Sequence, residues 1–219
     1  YVWCEAAEPV GLLRLSGLVF VPFLIGLYWM WNENRIVDGA NDNLSGCYMG
    51  IAILKALKEE GIEFENTEVG VILTCSEEAG LRGAKAWCAA HKGEFDDVPT
   101  FIFSYDTIHD PKYLMTNYRD LNGTVKADKD VSDLFMEAAK ELDISCKKGW
   151  VPPLGGATDS AAFAQAGFRA TGVTGLNHKL EDYYHNRRDT YDNMNDQGLA
   201  DCFAISVKAL EMFDNGAKQ

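Results

Sequence analysis

The chain has no cluster of lysine or arginine, no C-x-x-C pair, no internal repeat and no low-complexity tract. With a formal net charge of −13 and no basic block, nothing in it is suited to neutralise phosphates, which argues against a nucleic-acid partner. The acidity is spread along the sequence and reads as a soluble, self-repelling surface. Six cysteines, at 4, 47, 75, 88, 146 and 202, are placed unlike those of a zinc ribbon or a thioredoxin-like site. Several lie in apolar runs, where cysteine behaves as a small buried hydrophobe. They read as mostly free thiols, which points to a reducing compartment.

What remains is enough for a folded domain. The 219 residues are 47% hydrophobic and 24% charged, a balance that supports one sizeable core. The first part of the chain departs from this balance. From Leu15 to Trp31, LSGLVFVPFLIGLYWMW holds no charge, and at ~1.5 Å per residue it reaches roughly 25 Å, just short of a hydrocarbon core. Trp29 and Trp31 resemble an interfacial belt, whereas Glu5 and Glu8 do not suit a secretory signal. Pro22 and Gly26 would interrupt a helix here. A membrane-associated segment and a buried or displaced apolar segment both stay open, and the location is cytoplasmic or membrane-associated accordingly. If the segment stays in water, it is expected to drive self-association into a homo-oligomer. The expected division is an apolar segment, 1–37, ahead of a catalytic domain, 38–219.

After Asp38 the pattern is regular. Leu44, Cys47, Tyr48, Ile51 and Leu54 follow helical spacing up to Gly61. Val69–Cys75 (VGVILTC) and Thr100–Tyr105 (TFIFSY) read as strands buried on both faces, with a helix from Leu81 to His91 between them. Asp130 is expected to cap a helix with Val131, Leu134, Phe135, Ala138 and Leu142 on its apolar face. Phe168–Val173 reads as a further strand. A last helix presents Leu199, Cys202, Phe203, Ser206, Leu210 and Phe213. Strands alternating with helices predict an α/β fold, a three-layer αβα sandwich around a mostly parallel or mixed sheet.

Acidic residues follow these strands or precede a helix: Asp42 in GANDNLSG, Glu77 and Glu78 in CSEEAGLRG, and Asp106 in FSYDTI. The carboxyl ends of strands in open α/β sheets line the functional crevice, which is where these side chains are expected to meet. A lone carboxylate there is often only a helix cap, and Asp42 read singly would cap the helix near Leu44. Two adjacent glutamates repel unless a metal or a proton relieves them. In DYYHNRRDTYDN, His185 precedes Asp189 by four residues, a pair suited to a metal-bound imidazole held by a carboxylate on its other nitrogen. Three carboxylates and an imidazole suit zinc, with cobalt or manganese as substitutes.

GANDNLSG, SEEAGLRGAKAW, YDTI, TDSAAFAQAGF and YYHNRRDTYDN occur in an order and spacing that resemble the M28 family of zinc peptidases. That family includes secreted leucyl aminopeptidases of bacteria, glutamate carboxypeptidase and glutaminyl cyclase, and the resemblance runs from about Asp38 to about Phe213. It implies that Asp42, with a cis peptide to Asn43, bridges two metal ions. Glu78 and His185 would complete the first site, Asp106 would bind the second ion, and Glu77 would be the general base. The implied activity is a peptidase, acting on the N-termini of peptide substrates.

The chain departs from that pattern. Two-metal relatives carry a histidine ahead of the GANDN-like motif, and here histidine occurs only at 91, 109, 178 and 185. A truncated chain, an insertion, or a true loss of the second site would each explain it. Truncation is favoured, because the sequence also starts at Tyr1 and not at Met. His109 is a candidate replacement. Ser160 stands where relatives often carry histidine, so Asp159 and Ser160 would shape the substrate pocket differently. Tyr184 is either an oxyanion donor or a packing residue, and Arg187 and Arg188 either receive a substrate carboxylate or are surface. Two other readings stay beside the peptidase. One is a mononuclear enzyme of glutaminyl-cyclase type built on Asp42, Glu78 and His185. The other is a non-catalytic interaction domain or inactive fragment.

Overall fold

The computed structural model describes residues 17–30, 36–153, 155–177 and 181–218. Cys4, His178 and both ends of the 15–31 run lie outside them. The chain divides into two units, Tyr1–Ile36 and Val37–Gln219. The first contains helix α1 (Val21–Met30).

In the second unit five strands form one mixed sheet: β1 (Ile102–Asp106), β2 (Met115–Asp120), β3 (Val125–Lys126), β4 (Lys147–Trp150) and β5 (Ala170–Thr174). β1 and β5 run parallel with Asp106 opposite Thr174, and β2 is antiparallel to β5 and to β3 but parallel to β4. Five helices cover it: α2 (Ser45–Glu59), α3 (Arg82–Ala90), α4 (Lys129–Glu141), α5 (Asp159–Gln165) and α6 (Asp196–Asp214).

Side chains alternate across a strand, and this alternation makes the sandwich. Val173 of β5 joins a core with α2, α4 and α6, through Met49, Ile53, Leu134, Phe135, Ile205 and Phe213. Ala170, three residues back and so on the other face, joins a second core with Ala84 and Cys88 of α3 and Ala161 and Phe163 of α5. β1 divides in the same way, Phe103 and Tyr105 packing on the first core and Ile102 on the second. The expected three-layer αβα class is the observed one. Side chains removed from water as fully as Leu134 and Phe135 each stabilise the fold by roughly 1.5–3 kcal/mol.

Four local expectations need correction. Helix α2 buries Met49, Ile53 and Leu57 and leaves Tyr48 60% and Leu44 42% exposed, the reverse of the stripe read from the sequence. Its glycines decide the matter. A Cβ on Gly46 would lie 2.4 Å from the Tyr105 carbonyl oxygen, and one on Gly50 would lie 2.9 Å from Val71 Cγ1. The side with the small residues is the side that can approach the sheet.

Val69–Cys75 forms no ladder with any described strand, and Leu73 is 57% exposed. Its apolar run lacks the paired neighbours that a buried parallel strand requires. β1 packs on both cores but is only half-buried along its whole length. Asp128, not Asp130, caps α4, accepting the Val131 N–H at 2.9 Å, while Asp130 sits inside the first turn. The polar strands β2, β3 and β4 have no apolar alternation and were not legible in the sequence.

Among the described residues, cysteines 47, 75, 88, 146 and 202 are all free thiols, as expected.

Candidate metal centre

The GANDNLSG loop leads into α2, and its own side chains fix its path. Asn43 Nδ2 donates to the Tyr105 carbonyl at 2.9 Å, and Asn43 Oδ1 accepts the Gly46 and Thr107 N–H groups. Ser45 Oγ donates to the Asn41 carbonyl and accepts the Ile108 N–H. The loop is thereby stitched to the carboxyl end of β1. Asp42 itself caps nothing: the N-cap of α2 is Leu44, without a side-chain bond. The Asp42–Asn43 peptide is cis.

From the opposite side the loop is held by Asp189, which is 2% exposed. Its Oδ1 accepts the Asn41 backbone N–H at 2.7 Å and the Asn41 amide at 2.9 Å, and its Oδ2 accepts the Asp42 N–H at 2.9 Å. The sequence suggested that Asp189 would hold the second nitrogen of His185. Both its oxygens are instead committed to residues 41 and 42, so it steadies the loop that carries Asp42.

Asp42, Glu78 and His185 converge. Each offers one ligand atom, and the three atoms lie within 4.8 Å of one another. His185 Nε2 is 3.0 Å from Asp42 Oδ2 and 3.2 Å from Glu78 Oε1. Hydrogen bonding to Asp42, then to Glu78, pushes the His185 pKa up to about 10. The bond to His185 in turn lowers that of Glu78. His185 has a left-handed backbone, φ 55°, on a non-glycine residue, a conformation that clusters at functional sites. A pocket of about 220 Å³ lies over the group, lined by Val37, Asp42, Glu78, His185, Asn186 and Asp189. One imidazole nitrogen with two carboxylate oxygens at this spacing fits zinc and leaves a coordination position free for water or substrate.

Around the trio stand further acids. Glu77 is half-buried, and burial, followed by repulsion from Glu78, Asp159, Asp42 and Asp120, pushes its pKa to about 7. Asp106 ends β1 and is not part of the convergent trio. Its carboxylate accepts the Thr107 hydroxyl at 2.9 Å. Burial, followed by the charges of Asp42 and Glu77, raises its pKa well above the carboxylate range. The Tyr184 ring stacks on the His185 imidazole, centroids 3.9 Å apart. Burial, with Asp42, Asp106, Glu78 and Glu77 nearby, raises its pKa further, so its O–H remains a donor.

Asp159 accepts a hydrogen bond from Thr74, while its Oδ1 is buried without a partner. Ser160 donates to Asp120 Oδ2 at 2.7 Å. His109 is tied to Asn41 Oδ1 at 3.0 Å and packs on the ring of Tyr183. Arg187 and Arg188 are exposed, Arg188 lying 3.9 Å from Asp182.

Two parts of this neighbourhood escaped the sequence reading. Asn41, Asn43 and Ser45 had a signal, the run of short polar side chains in GANDNLSG. Asp120 had none, since it closes the polar strand β2. It is 1% exposed and accepts from the Leu121 and Thr158 N–H groups and from the hydroxyls of Thr158 and Ser160.

The profile of peptidase family M28 matches residues 28–210. No curated protein matches. Among solved structures, the chain is similar to LapB from Legionella pneumophila, with TM-score 0.68 and 16% identity over 81% of this chain and 48% of that one. It is similar to BSAP, a zinc aminopeptidase from Bacillus subtilis, with TM-score 0.65 and 19% identity over 81% and 42%. An aminopeptidase from Aneurinibacillus sp. strain AM-1 gives TM-score 0.61 and 20% identity over 80% and 40%. At such identities the likeness is one of fold, and the chain spans less than half the length of each of these structures.

Proposed function

The chain belongs to peptidase family M28, and from that premise we propose that it is a metal-dependent peptidase that cleaves residues from peptide N-termini. The observation that carries the reading is the convergence of Asp42, Glu78 and His185 beside a half-buried Glu77. Those three residues would hold the ion. A zinc ion there would supply Lewis acidity, bringing the pKa of water toward ~7 and polarising the scissile carbonyl.

The chain's own groups do the rest. Glu77, with a pKa of about 7, accepts the proton of the attacking water and returns it to the leaving amine. The Tyr184 O–H, kept protonated by burial and then by the surrounding acids, donates to the oxyanion that develops on the carbonyl. Asp189 keeps Asp42 in place through the loop backbone.

A one-ion centre is favoured over a two-ion centre because Asp42, Glu78 and His185 are the group of three ligands that converges among the described residues, and no second group of three stands beside it there. Elemental analysis of the purified chain, alongside hydrolysis of aminoacyl-nitroanilides, tests both parts. One equivalent of zinc with turnover that Glu77→Gln abolishes supports the single-ion peptidase. Two equivalents would restore Asp106 as a ligand. Zinc without turnover on any aminoacyl substrate would overturn the peptidase reading and leave the glutaminyl-cyclase-like one, tested by cyclisation of N-terminal glutamine.

A further inference from the structure

Helix α1 has no polar side. Every described side chain from Leu18 to Tyr28 is exposed, among them Val19 at 66%, Phe20 at 62%, Phe23 at 68%, Leu24 at 61% and Ile25 at 55%. Successive residues turn by about 100° around a helix, so within α1 the exposed Val21, Phe23, Leu24, Ile25 and Leu27 are spread around most of its circumference. A helix that packs on one protein surface keeps a polar back. The run from Leu15 to Trp31 offers a single serine and no charge for such a back. A second copy of the helix would cover one side and leave the others in water. Only a solvent that is itself apolar satisfies all of them.

We propose that the apolar segment containing α1 inserts into the lipid bilayer. No helix among the described residues is long and apolar enough to cross a membrane. Lying flat in the interface is excluded by the same all-round character, since interfacial helices need a strongly polar face. The aromatic end fixes the direction. Tyr28 is 81% exposed, and the sequence places Trp29 and Trp31 directly after it, followed by Glu33 and Arg35. Amphipathic rings followed by charge mark the headgroup level, so the carboxyl end of the helix is the end nearest the water. A chain of net charge −13 gains nothing from anionic lipid, and burial of apolar surface is the whole attraction. The inference concerns the N-terminal unit and is independent of the metal centre.

The test uses the full chain mixed with sealed vesicles of neutral phosphatidylcholine, separated by flotation at low and high salt. The chain is expected to float at both, and the double variant Phe23→Asp, Ile25→Asp to remain in the soluble fraction with an unchanged far-UV spectrum. Flotation only on anionic vesicles, lost in salt, would overturn the apolar mode of binding. A chain that ignores vesicles and forms a concentration-dependent dimer by light scattering would assign the helix to a second copy and overturn the proposal.

Discussion

The carboxylate of Asp189 and the backbone of Asp42 are joined across 147 positions of sequence: Asp189 Oδ2 accepts the Asp42 N–H at 2.9 Å, while Oδ1 holds Asn41. The Asp42 side chain, the proposed metal ligand, is thus positioned by a buried acid that bonds to Asp42 only through its backbone N–H. Asp189→Asn is expected to lose part of this set, because its amide presents N–H where an acceptor is needed. Zinc affinity, measured by competition with a chromophoric chelator, should fall about 10–100-fold, as for other residues that orient ligands. Thermal unfolding of the metal-free variant should show a loss of about 2–3 kcal/mol. Unaltered zinc affinity would show that Asp42 needs no such support.

Glu77→Gln keeps shape and hydrogen bonding but removes the proton acceptor. Turnover on an aminoacyl-nitroanilide is expected to drop by ~10²–10⁴-fold, with zinc content unchanged. Loss of zinc along with activity would instead make Glu77 a ligand.

Gly46→Ala tests the seat of the loop. The added Cβ would meet the Tyr105 carbonyl oxygen at 2.4 Å and the Asn43 side chain at 2.5 Å, so α2 must move away from the end of β1. A loss of about 1–3 kcal/mol is expected in denaturant unfolding, with weakened zinc binding. Gly70→Ala, where nothing lies within 4 Å of the new atom, is the control and should change neither.

The thiols differ in reach. Cys75 is exposed two residues before Glu77, whereas Cys88 and Cys202 are buried. Burial pushes the Cys146 thiol up to about 12. The thiolate is the reactive form, so iodoacetamide near neutral pH should label Cys75 first, read by peptide mass spectrometry. Labelling of Cys146 in the folded chain should stay slow until the pH approaches 12. Fast labelling of Cys146 near neutral pH would mean that its surroundings are open.

The sequence by itself determined the fold class and the chemistry on offer. An apolar run followed by an acid located Asp106 at the end of β1, and helical spacing located α4 and α6, because both patterns are local. It also marked the 15–31 run, whose lack of charge needs no partner to be seen. Tertiary structure decided the rest. Two apolar stripes run along α2, and periodicity cannot say which one faces the sheet. Contact with Tyr105 and Val71 decides it, through Gly46 and Gly50. Asp189 and His185 are four residues apart and looked like a pair, yet the nearer loop in space is 41–42. Asp120 looked like a surface acid until Thr158 and Ser160 closed over it. The run 69–75 reads as a buried strand because apolar content reports a preference for burial, whereas pairing depends on which neighbours the fold brings alongside.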